Sequence, residues 1–230
     1  MNEIRMLTYS NQDDCKQFAE ILEDYVRTES DKINQVYVVD HLKKFANWIY
    51  DQFLKQYPED FVVYGSFSDG ELIQIMVAYK FEVAWGFEFI MNNCPYWYVG
   101  LAYFKDKAWR NPGTELINLG LCLGKHFERQ GYYKFYTVKK MPRGIRNYED
   151  MERYINSSAF KETYQVARYK VGVEKVFRTT EDITNFRYNH WSPVLPRGIS
   201  RPVMLLEFTL DPTIDINSLI DLTPIENTNS

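Results

Sequence analysis

The chain has 230 residues, 45% of them hydrophobic and 25% charged, and a formal net charge of −4. That balance specifies a soluble globular domain with a sizeable core, excludes a disordered chain, and weighs against a dedicated nucleic-acid binder. No apolar run reaches bilayer length, MNEIRML has no secretory apolar region, and Cys15, Cys94 and Cys122 lack the spacing of a disulfide framework or zinc site, so the expected compartment is the reducing cytoplasm.

In chain order, a short strand is expected at residues 4–8. Ser10 or Asn11 then caps a helix whose first turn carries Asp13 and Asp14, carboxylates that complement the helix dipole. Phe18, Ile21, Leu22, Tyr25 and Val26 recur at helical spacing and form its apolar stripe. A polar connection over 28–35 leads to a second helix from Asp40, with Leu42, Phe45, Trp48, Ile49 and Phe53 on one face and Pro58 as its stop. Apolar runs at 61–67 and 71–79 flank Ser68-Asp69-Gly70, a strong hairpin signal. Phe81, Val83, Trp85, Phe87 and Phe89 alternate with small or charged residues, the pattern of a strand with one buried face. Residues 92–95 then turn into a strand over 96–104, where Gly100 marks a bulge or a close backbone approach.

Residues 105–112 are charged and turn-prone. Gly113-Thr114 opens a helix that Gly131 closes, apolar on more than one side and so destined to lie on a sheet, with Gly120 and Gly124 permitting close approach. A helix mouth gathers backbone N–H groups and partial positive charge, which suits a phosphate or pyrophosphate. A strand at 133–139, a helical stretch at 147–157 and strands near 168–177 and 201–210 complete an α/β (α+β) fold. The expected organisation is one domain over 1–210 and an acidic tail over 211–230. Lys134, Lys139, Lys140, Arg143 and Arg146 form a basic run without an acid, while Glu207, Asp211, Asp215, Asp221 and Glu226 follow Arg201 without a base. These are either a solvated loop and tail, or a basic surface for a polyanion such as a nucleotide cofactor's phosphates. His41, His126 and His190 have no ligand spacing, so no metal site is expected. Residues 120–125 imitate a phosphate-binding loop but are one residue short and lie within a helix. Arg187–Pro193 mixes a base with aromatics and reads as a loop over a pocket.

Two partial motifs sit on this order of elements. Arg110-Asn111-Pro112-Gly113-Thr114-Glu115 matches the first and fourth positions of Gln/Arg-x-x-Gly-x-Gly/Ala, with Glu115 where a small residue is usual. Asn147 is followed seven residues later by Tyr154, and Ala159-Phe160 stands, one residue late, where a Gly-Phe pair would be. With these motifs the chain resembles, over residues 4–210, the GNAT superfamily of acyl-CoA-dependent N-acyltransferases. The resemblance implies a mixed, mostly antiparallel central sheet flanked by helices, with a fourth and fifth strand that splay so that the donor's pantetheine arm pairs with exposed backbone. It implies acetyl-CoA as donor and an amine acceptor, a small molecule or a peptide.

The resemblance also distributes roles. Arg110, Asn111, Gly113 and Thr114 would hold the pyrophosphate; Lys139, Lys140 or Arg143 would reach the 3′-phosphate side; and Asn147 belongs to the second cofactor motif. Tyr154 would protonate the leaving thiolate, a role that suits a phenol because it holds its proton more tightly than a thiol. Glu82 or Glu88 would take the amine's proton, with Glu88 as the assigned catalytic carboxylate. The alternative is a catalytically inactive descendant of the fold, a binding or structural component of a larger assembly, which Glu115, Ala159 and the aromatic-rich strands favour. Neither nucleic acid nor membrane is an expected partner, and the apolar strands suit pairing across a homodimer.

Overall fold

A computed structural model of the chain describes residues 2–31, 36–55, 59–82, 92–105, 112–140, 150, 153–154, 156–158, 169–177 and 203–210. Its elements are β1 (Asn2–Met6), α1 (Gln12–Asp31), α2 (Val36–Lys55), β2 (Phe61–Ser68), β3 (Glu71–Glu82), β4 (Asn92–Phe104), α3 (Pro112–Arg129), β5 (Lys134–Lys140), β6 (Tyr169–Phe177) and β7 (Val203–Leu210). The strands form one sheet in the order β1-β2-β3-β4-β5-β7-β6. β4 and β5 run parallel; the β1–β2, β2–β3, β5–β7 and β6–β7 pairs are antiparallel. This is the mixed, mostly antiparallel sheet expected from the sequence. Among the described residues, no helix is long and apolar enough to cross a membrane. The chain divides into two compact units, one built on Met1–Tyr79 and Leu101–His126, the other on Lys80–Gly100 and Phe127–Asp215.

In the first unit, α1 starts where the sequence caps it. Asn11 Oδ1 accepts from the Asp13 amide at 2.9 Å and the Asp14 amide at 3.3 Å, satisfying first-turn donors that have no intrahelical acceptor. Asp14 is fully buried and ties this helix to β1, accepting from Arg5 at 2.6 and 2.9 Å and from the Thr8 amide at 2.9 Å. The Arg5 guanidinium also lies 4.1 Å from the centre of the Phe67 ring. Burial pushes the Asp14 carboxyl up, but the hydrogen bonds from Arg5 and Thr8 and the Arg5 charge outweigh it and hold the group below its ordinary value.

The expected hairpin is present. Asp69 (φ 50°) and Gly70 (φ 85°) both occupy the left-handed region, as a two-residue type I′ turn requires. Gln17 of α1 clamps that turn, accepting from the Leu72 amide at 2.5 Å and donating to the Gly70 carbonyl at 3.1 Å. Trp48 of α2 meets Phe61 and Tyr79 edge-on at centroid distances of 6.4 and 5.2 Å, and Phe18 meets Phe53 at 4.9 Å, so the aromatic stripes of both helices are core. The helices differ from expectation at their facing ends. α1 runs through Asp31 and α2 begins at Val36, which shortens the connection expected over 28–35. The Tyr103 hydroxyl bonds Asp24 at 2.7 Å and Thr28 at 3.1 Å, and this tertiary anchor outweighs the weak local preference against helix.

In the second unit, rings run from strand to strand. Trp97 of β4 stacks on Phe127 at 4.8 Å, Phe127 meets Phe135 of β5 at 5.5 Å, and Phe135 stacks on Phe208 of β7 at 4.7 Å. α3 ends as its Gly131 predicts. Gly131 has φ 81°, its amide donates to the Glu128 carbonyl at 2.9 Å, and the Tyr132 amide donates to the Phe127 carbonyl at 2.9 Å, together a Schellman cap. Two details correct the sequence expectation. β4 starts at Asn92, so the stretch expected to turn at 92–95 is strand, its turn-like composition overridden by sheet formation. A Cβ on Gly120 would meet nothing within 4 Å, so this glycine does not serve a close helix approach.

Candidate functional site

The parallel pair is where the sheet changes character. β4 and β5 are in register at Trp97↔Phe135 and Tyr98↔Tyr136. At the next position the ladder ends. There the Thr137 hydroxyl donates to the Val99 carbonyl at 3.0 Å, with both residues buried. In a running parallel ladder that carbonyl would receive a backbone amide from the neighbouring strand; a side chain stands in its place. β4 nevertheless continues to Phe104 and β5 to Lys140. Strand backbone that leaves its partner presents peptide groups to whatever extended chain can pair with them.

The register row of Tyr98 and Tyr136 continues onto Glu207 of β7 and Gly172 of β6. Glu207 accepts from the Tyr136 hydroxyl at 2.6 Å, from Lys134 at 2.9 Å and from Thr209 at 3.3 Å. Burial pushes its carboxyl up, and the bonds from Tyr136 and Lys134 bring it below the ordinary value. Two members of the opposed charge runs therefore meet within the sheet, on β5 and β7.

The sequence-predicted site residues fall in three places. α3 begins at Pro112, so Gly113 and Thr114 lie together in its first turn, where amides have no intrahelical acceptor and Pro has no donor to leave stranded. Lys139 and Lys140 are consecutive on β5, opposite Met204 and Val203. Tyr154 sits in a helical turn, half-buried, and its carbonyl accepts from the Ser157 amide at 3.0 Å and the Ser157 hydroxyl at 2.6 Å. Glu82 ends β3. Arg110, Asn111, Arg143, Asn147, Glu88 and Ala159-Phe160 lie outside the described residues.

Sequence reasoning did not single out Thr137, since a lone threonine in a strand carries no signal until its hydroxyl has a partner. It also missed the polar group around Tyr103. That phenol is pushed up to about 12 by burial and by Asp24, which its hydroxyl bonds, and Tyr25 packs edge-on against it at 5.3 Å. Asp24 is also paired with Arg27. This group is a locked structural contact between α1 and β4 rather than an open site.

No family model and no curated protein matches the sequence. Solved structures do match its fold. The aminoglycoside 6′-N-acetyltransferase from Enterococcus faecium superposes with a TM-score of 0.51 at 13% identity, covering 93% of this chain and 99% of its own. An aminoglycoside 6′-N-acetyltransferase complexed with coenzyme A gives 0.51 at 12% identity, with 93% and 99% coverage. A Desulfovibrio desulfuricans protein assigned to the GNAT family of acetyltransferases gives 0.50 at 10% identity, with 91% and 99% coverage. The chain has the GNAT fold. At these identities the likeness is one of architecture.

Proposed function

We propose that the chain transfers an acyl group, acetyl in the simplest case, from an acyl-CoA to an amine acceptor, either a small molecule or a peptide. The observation that carries this reading is the end of the β4–β5 ladder after Tyr98↔Tyr136, in a fold shared with acetyltransferases. Two features of the described residues suit such a donor, each taken by itself. The first turn of α3 offers backbone amides suited to a diphosphate, and the β4 backbone beyond the ladder suits an extended chain of amides.

When bound, acetyl-CoA supplies the activated acyl carbon and the thiolate that leaves. Gly113 and Thr114, with Arg110 and Asn111, hold the diphosphate, while Lys139, Lys140 and Asn147 contribute to the rest of the cofactor surface. Tyr154 holds a proton at its phenol oxygen for the departing sulfur, and Glu88 takes one from the amine. Fixing donor and acceptor together lowers the entropic part of the barrier, a contribution that can exceed that of any single acid or base. The domain carrying this activity spans residues 1–210, with 211–230 as an acidic tail. Cytoplasmic residence and a homodimer paired through apolar strands belong to the same proposal.

The test is a calorimetric titration with acetyl-CoA, repeated on Arg110→Ala and Glu115→Gly, followed by a thiol-release assay over a panel of amines. Saturable binding is expected, weakened in Arg110→Ala and tightened in Glu115→Gly, which removes a negative charge from the start of α3. One sequence observation favours a second reading. Glu115 stands where the fold's enzymes carry a small residue, as suits a binding or assembly protein that has lost the cofactor. Absence of heat at millimolar acetyl-CoA overturns the transferase and leaves that second reading.

A further inference from the structure

The hydroxyl of Thr137 lies at the last point where β4 and β5 are held together, and we infer that it is a positioning residue that fixes where the strands part, and so which β4 peptide groups remain for the pantetheine amides of an acyl-CoA. The inference rests on the acyl-transfer reading for its ligand and on the geometry of one unit for its mechanism. Tyr98↔Tyr136 is the last laddered pair, and the following position joins Thr137 Oγ1 to the Val99 carbonyl at 3.0 Å. Thr137 is 7% and Val99 8% exposed, so water does not compete for this bond. A buried carbonyl needs a donor. Two donors are chemically available on β5: a side-chain hydroxyl, or the next backbone amide of a continued ladder. The hydroxyl satisfies the carbonyl without drawing the backbones into register, so the ladder stops one rung early.

Gly100 follows directly on β4 and is half-exposed. A residue with no side chain lets a second extended chain approach this backbone closely. Replacing the hydroxyl by a methyl of the same size removes the donor. The Val99 carbonyl then recruits the following β5 amide, the ladder lengthens by one rung, and the stretch of β4 open to the donor shortens. Serine retains the hydroxyl and retains the fork.

The experiment compares wild type, Thr137→Val and Thr137→Ser by amide hydrogen exchange without ligand and by calorimetric titration with acetyl-CoA. In the free proteins, the Val138 amide is expected to exchange at least tenfold more slowly in Thr137→Val than in wild type, with Thr137→Ser matching wild type. Acetyl-CoA is expected to bind Thr137→Val about tenfold more weakly, to bind Thr137→Ser within twofold of wild type, and to slow exchange at Leu101, the next β4 amide on the side of the Val99 carbonyl, in wild type. If wild type binds and Thr137→Val binds equally well with unchanged exchange, the positioning role is overturned. If wild type does not bind, the acyl-transfer reading fails and the donor role of the fork fails with it, while exchange in the free proteins still decides whether Thr137 sets the fork. Should Thr137→Val not fold, wild-type exchange with and without acetyl-CoA decides: slowing at Leu101 supports the inference, and slowing confined to other amides overturns it.

Discussion

The β2–β3 ladder and the β4–β5 ladder draw on similar aromatic and branched residues but end differently. β2 and β3 pair from Phe61↔Tyr79 to Ser68↔Glu71, with one irregularity at Ser66/Phe67, and close in a type I′ turn clamped by Gln17. β4 and β5 pair at Trp97 and Tyr98 and then hand over to a side-chain bond. Connection explains much of the contrast. A two-residue turn dictates register along a hairpin, whereas parallel strands are joined by a crossover, here α3, and their register must come from packing. The Trp97–Phe127–Phe135 stack supplies that packing beside the Trp97↔Phe135 pair. Pairing runs the length of β2 and β3, and between β4 and β5 it stops after Tyr98↔Tyr136.

The largest expected effect comes from removing the packing that holds the parallel pair. Phe127→Ala should cost about 4 kcal/mol in urea unfolding and raise exchange at the Tyr98 and Tyr136 amides while sparing β2–β3. A loss below about 1 kcal/mol would mean that something other than this stack sets the register. Next in size is Asp14→Asn, which strands the partly buried Arg5 and should cost about 3 kcal/mol in the same assay. Because the Asp14 carboxyl lies below its ordinary value when folded, its stabilisation is present above the unfolded carboxylate range, near about pH 4, and is lost as pH falls through the folded value. Wild type should therefore lose more stability than Asp14→Asn on acidification below about pH 4. Tyr103→Phe removes the hydroxyl shared by Asp24 and Thr28 and should cost about 1.5 kcal/mol, with faster exchange in the last turns of α1. Gly70→Ala, forced to keep φ 85° in the hairpin turn, should cost about 1 kcal/mol and leave acetyl-CoA binding untouched.

The fold was legible wherever a local device fixes it. Asn11 as cap, Asp69-Gly70 as turn and Gly131 as helix stop act through their own backbone and nearest neighbours, so their meaning is carried by a few adjacent letters. The helical stripes were legible for the same reason, because burial follows spacing. Element ends set by distant partners were not. The final turns of α1 depend on Tyr103, a residue 75 positions beyond Thr28. The start of α3 was legible, with Gly113 and Thr114 in its first turn. The fork was opaque, since the Thr137 hydroxyl finds its partner only in a carbonyl 38 positions earlier in the chain. The link between the charge runs was opaque for a related reason: Lys134 and Glu207 lie in separate expected strands, and only the pairing of β5 with β7 brings them within 2.9 Å.

The most direct test of the account follows backbone amide chemical shifts of the isotopically labelled wild-type protein as acetyl-CoA is added. Saturating changes are expected at Val99, Gly100, Gly113 and Thr114, with the β2–β3 amides unmoved. No change at millimolar acetyl-CoA, or changes confined to β2–β3, would contradict it.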